Sequence, residues 1–115
     1  MHFFTFCTKD TTLYEASASM NTGLDSVLEI RKDMNPSGTV IELSRPIIQF
    51  DLTDISGSIV DGTITSNRKF YLNLFDSNPT ALQVEQSLKG YPISQSWSMG
   101  QGSLGDEPIT TEGAS

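Results

Sequence analysis

The stretch Ser44-Arg45-Pro46-Ile47-Ile48-Gln49-Phe50-Asp51-Leu52 decides the fold. Ile48, Phe50 and Leu52 fall on one face and Ile47, Gln49 and Asp51 on the other, which is the two-residue period of a half-buried strand and not the 3.6-residue period of a helix. The first set is expected in the core. Outward from this stretch, short aromatic or β-branched runs recur between Gly, Asn, Pro, Ser and Asp, so residues 3–6, 11–15, 26–31, 69–75 and 88–93 read as further strands and 62–66 as a short one. Leu28 and Ile30 share a face of the third. Phe70, Leu72 and Leu74 share a face of 69–75, whose other face also carries apolar area, as a central strand would. Asn21-Thr22-Gly23, Asn35-Pro36-Ser37-Gly38 and Asp76-Ser77-Asn78-Pro79 supply turns. Two segments are open to two readings: 53–61, with near-helical spacing of Ile55, Ile59 and Val60 against Gly57 and two serines, and 81–88.

These patterns predict an all-β fold, an antiparallel β-sandwich of jelly-roll type, incomplete at its C-terminal end. Residues 1–99 are expected to form the sandwich. Residues 100–115, in which only Leu104 and Ile109 are sizeable hydrophobes, are expected to be a polar flexible tail or the start of missing strands, because so little apolar surface cannot offset the entropy of ordering.

The chain has 115 residues, enough for one domain, and a net charge of −7 from fourteen acidic and seven basic residues, which disfavours nucleic acid as a partner. No run is long enough for a membrane span, and the N-terminus lacks the basic and apolar regions of a signal peptide, so synthesis in a cytoplasm without export is expected. One histidine, His2, and one cysteine, Cys7, exclude structural zinc and leave no nucleophile with a well-placed base, so no enzymatic activity is expected. Cys7 itself reads as a small buried hydrophobe. No resident cofactor is implied. Asp51, Asp54 and Asp61 surround a Ser- and Gly-containing segment and are the candidate ligands for calcium, although turn capping and solubility account for them more simply. Gly100-Gln101-Gly102-Ser103-Leu104-Gly105 matches G-x-G-x-x-G in letters alone, lacking the preceding strand and following helix of a dinucleotide site. Trp97, Tyr91 and Tyr14 are the rings that would meet the apolar faces of a sugar, and core filling is the alternative for Trp97.

Several of these pieces occur in the order found in the DNRLRE family of carbohydrate-binding-module-like β-sandwich domains. Residues 44–52 resemble its S-R-x-x-[IL]-x-F-D-L signature, 10–15 its opening strand, 21–25 its N-x-G-x-D turn, 28–30 and 70–74 later strands, and 94–97 the segment whose tryptophan precedes a Thr-rich turn. Family domains usually continue with further strands beyond the position of Ser115. The acidic, cysteine-poor, signal-less character with long polar loops is similar to virion structural proteins of marine tailed phages, which fold in the host cytoplasm. The resemblance implies a virion component of tail, baseplate or decoration type that packs against itself or other virion proteins, or alternatively a module that binds a cell-surface or extracellular polysaccharide.

Overall fold

The computed structural model describes residues 2–77 and 85–114. Strands β1 (Cys7–Tyr14), β2 (Arg31–Met34) and β3 (Val40–Phe50) form one antiparallel sheet in the order β1-β3-β2, followed by a helix, α1 (Thr53–Val60). The fold is therefore small and sheet-rich. Its central strand is β3, which contains most of the 44–52 stretch but ends at Phe50, so that Asp51 and Leu52 lead into α1.

Register explains how a proline sits inside the central strand. Thr12 lies opposite Pro46, and the backbone N–H and C=O of Thr12 engage the hydroxyl of Thr22 at 3.2 and 2.9 Å instead of β3. In an antiparallel ladder such a non-bonded pair turns both residues' polar groups away from each other. β2 pairs with β3 only as far as Ser44, so the absent N–H of Pro46 is required on neither side.

The segment 53–61, open to two readings by sequence, is helical through Thr53–Val60. Asp51 starts it by accepting hydrogen bonds from the Thr53 hydroxyl (2.6 Å) and amide (3.0 Å), groups at the helix entrance without an intrahelical partner.

Other expected strands are absent from the described residues. Strand structure begins at Cys7 instead of Phe3, the 26–31 segment joins the sheet only at Arg31, and 62–66, 69–75 and 88–93 are irregular. Alternation marks a segment as able to become a strand, but a neighbouring backbone must offer hydrogen-bond partners before it does. The reading of 81–88 and the end of the Asp76–Pro79 turn fall largely outside the described residues.

The expected apolar core is also corrected. Ile30, Leu52, Phe70, Leu72 and Leu74 are all more than half exposed, and Leu28, Ile48 and Phe50 are half-buried. Buried instead are Thr11, Thr12, Asn21, Thr22 and Ser44, with Tyr14 the one large apolar side chain among the described residues to join them. Tyr14, Ser44, Thr12 and Pro46 share one sheet face, and the 28–30 segment crosses it: Glu29 donates its amide to the Thr12 hydroxyl (3.1 Å), Ser44 donates to the Glu29 carbonyl (3.1 Å), and the Tyr14 hydroxyl donates to the Glu29 carboxylate (3.0 Å). This layer is held by polar complementarity, so the face that the pattern marked for burial is covered by backbone and not by leucine.

Cys7 is exposed, contrary to expectation, because it opens β1 at the sheet margin. Its thiol donates to Asp10 at 3.3 Å, and that bond, with some desolvation and the nearby negative charge, raises its pKa.

Candidate functional site

Asn21 gathers the segment from Met99 to Ala114. It is completely buried beside β1, and its side chain uses both ends: the amide nitrogen donates to the carbonyls of Met99 and Ala114, each at 2.8 Å, while the oxygen accepts the amides of Gly102 (2.8 Å) and Gly23 (3.2 Å). Its backbone amide donates to the Thr110 carbonyl (2.8 Å), and Leu24 N–H donates to the Gly102 carbonyl (2.9 Å). A single carboxamide thus satisfies groups from three separate places in the chain.

Such crowding demands glycine. A Cβ on Gly23 would overlap the Met99 carbonyl, and one on Gly100, whose φ is +77°, would overlap both the Glu112 carbonyl and the Asn21 side chain. Close backbone approach and left-handed φ are the two circumstances that select this residue.

Two aspartates complete the clasp. Asp25 accepts the Leu104 amide through both oxygens at 3.1 Å, and Asp106 accepts the Ser103 amide (2.9 Å) and Thr110 hydroxyl (2.8 Å), which hold its carboxyl below the usual aspartate pKa. Asn21, Gly23 and Asp25 are the named positions of the N-x-G-x-D turn, and each has a structural task here. The turn was legible in sequence; its long-range role was not, although the glycines at 100, 102 and 113 were a signal of close backbone packing.

Residues 100–114, expected as a polar flexible tail or the start of missing strands, make these hydrogen bonds to the Asn21 hub. Hydrogen bonds to a fixed partner can offset part of the cost of ordering where little apolar surface is buried.

The clasp also positions Trp97. Ser98 accepts the Ala114 amide at 2.8 Å, and the strip 95–98 lies against the sheet face that carries Leu13 and Ile47. Together with Ile93, Gly113 and Ala114 these residues line an open groove. The Lys9 ammonium lies 4.5 Å from the centre of the Trp97 ring and donates to the Trp97 carbonyl. A cation over an aromatic face is attracted by the ring quadrupole, so one flank of the groove is both apolar and positively charged.

The other candidate residues are dispersed. Tyr14 is buried on the opposite sheet face with its hydroxyl committed to Glu29, so its ring is not presented to a ligand. Tyr91 is 78 % exposed and does not line the groove. Asp51 precedes α1, Asp54 lies in its first turn and Asp61 caps its far end, where it accepts the Thr63 amide at 2.8 Å. Eight helical residues span about 12 Å, which keeps the first and last carboxylates from converging on one ion. Asp51 and Asp61 both have lowered pKa values, caused first by the side chains and then by the amides of Thr53 and Thr63. No group of three potential metal ligands occurs among the described residues.

No family model, curated protein or solved structure matches the chain.

Proposed function

We propose that this chain is a non-enzymatic structural subunit of a larger assembly, of the virion tail, baseplate or decoration kind, which completes a β-sandwich-like packing through contacts with copies of itself or neighbouring virion proteins. The observation that carries this reading is surface. The accessible area is 9442 Å², whereas a folded monomer of 12.6 kDa is expected to expose about 6,200 Å². The radius of gyration, 17.3 Å, exceeds the roughly 13 Å of a compact chain of this length in the same direction. The surplus of about 3,200 Å² per copy, or about 6,400 Å² over two copies, exceeds the roughly 2,000–5,000 Å² that one obligate interface buries in total and leaves surface for more than one neighbour, and much of the exposed surface is Phe, Leu, Ile, Val and Tyr. So many exposed large apolar side chains favour burial against a neighbour.

Light scattering coupled to size-exclusion chromatography of the whole chain tests the reading. A defined oligomer supports it. A monodisperse monomer throughout the micromolar range overturns it.

A second reading, a polysaccharide-binding module, is favoured by the groove beside Trp97. Lys9 already occupies the neighbourhood of that ring, so a sugar stacking there would displace an ammonium. Retention on polysaccharide columns that is lost in Trp97→Ala, with folding intact, supports this reading, and no retention of the parent chain removes it.

A further inference from the structure

The segment Arg68-Lys69-Phe70-Tyr71-Leu72-Asn73-Leu74-Phe75-Asp76 retains the alternation of a strand but has no partner strand among the described residues. Its side chains are open to solvent: Phe70 is 71 % exposed, Tyr71 77 % and Phe75 95 %. A run of high β-propensity, uncharged from Phe70 to Phe75 and without a strand partner among the described residues, is a template for another chain.

The occupant can be read from the charges. Two identical strands related by a two-fold axis pair antiparallel, with residues equidistant from one central position facing each other. With Leu72 at the centre, Leu72 meets the partner's Leu72, Phe70 meets the partner's Leu74, and Arg68 meets the partner's Asp76. Every contact on this face is then apolar against apolar or positive against negative, and each occurs twice except at the axis. Centring on Tyr71 places Arg68 against leucine and Asp76 against Ser66, and centring on Asn73 places Asp76 against Phe70. One register alone is complementary in both respects, as cross-strand pairing favours.

We propose that residues 68–76 form the seam of a homodimer, pairing with the same segment of a second copy about an axis through Leu72. This rests on the assembly reading and names its first contact. Arg68 now donates to the Thr65 carbonyl at 3.3 Å, an exposed bond that a cross-strand carboxylate can replace. Three aromatic rings, each able to bury roughly 150–250 Å², give the seam a substantial share of the surplus surface and leave the remainder for further neighbours.

The test uses the full chain with Cys7→Ser, the sequence's sole cysteine removed. Leu72→Cys should form a disulfide-linked dimer under mild oxidation. Lys69→Cys should not, because its two copies would lie six residues out of register, about 20 Å apart. Asp76→Arg should weaken dimerisation at least tenfold by sedimentation, and adding Arg68→Asp should restore it to within about threefold. A persistent oligomer in which Leu72→Cys fails to cross-link, or in which the double exchange does not restore association, overturns the seam while leaving the assembly reading intact. A parent chain that is monomeric at every concentration overturns both.

Discussion

Replacing Asn21 by alanine removes four side-chain hydrogen bonds at once, two donated to the Met99 and Ala114 carbonyls and two accepted from Gly102 and Gly23. At about 1 kcal/mol net for each bond the loss is about 4 kcal/mol. Asn21 is fully buried, so its former partners gain little compensation unless water enters. Against a stability of about 5–15 kcal/mol for an ordinary domain, this is a large fraction. Urea unfolding followed by the fluorescence of Trp97, the only tryptophan, measures it directly. Hydrogen exchange supplies the local readout: the Gly102 and Gly23 amides should lose protection, followed by residues 98–114 as a unit. Asn21→Asp sharpens the test, because it keeps the acceptor but turns a negative oxygen toward two carbonyls. Burial and those carbonyls should raise the new carboxyl's pKa in the folded state above its unfolded value. The folded state then binds the proton more tightly, so this variant should gain stability as pH falls and lose it as pH rises through the folded pKa. A cost below about 1 kcal/mol for Asn21→Ala, within the range of a single hydrogen bond, would refute the claim that one side chain holds residues 98–114 in place.

Gly23→Ala should drive the Met99 carbonyl away and release residues 98–114 to limited proteolysis, at a cost of about 1–3 kcal/mol, the usual range for overpacking; unchanged protease resistance would contradict the packing described here. Lys9→Met removes the ammonium above Trp97, and the loss of about 0.5–2 kcal/mol expected for a part-buried cation–aromatic contact should accompany a changed tryptophan emission spectrum. Tyr14 has its pKa pushed up to about 12, first by burial and then by its bond to Glu29. The folded state therefore favours the neutral phenol, and this contribution to stability is present below pH 10 and lost as pH rises from 10 through about 12. In a Tyr71→Phe/Tyr91→Phe background, phenolate absorbance should report that late ionisation, and Glu29→Gln should lower its midpoint.

Deleting residues 100–115 is a less selective probe of assembly than the composition of that segment suggests. The deletion removes Gly102, Thr110 and Ala114, three of the partners that satisfy Asn21, so it should unfold the clasp before it reports on any interface.

The sequence by itself determined the sheet-rich character, the strand through Ile47, Ile48 and Phe50, and the turn at Asn21-Thr22-Gly23, because period-two alternation and turn chemistry are local properties carried by adjacent residues. It also placed the carboxylates around 51–61, but the helix between Thr53 and Val60, which separates Asp51 from Asp61, was one of two readings the spacing allowed. Only the tertiary structure decided what covers each face. Ile48 and Phe50 alternate as core residues do, yet Glu29 covers Thr12 and Ser44 on one side while the Trp97 strip forms an open groove with Leu13 and Ile47 on the other, since burial depends on which distant segment arrives there. Asn21 illustrates the same limit from the polar side. In sequence it is a turn former; it becomes the hub of the fold only because residues 99, 102 and 114 return to it from across the chain, and no local pattern encodes a hydrogen bond spanning that distance.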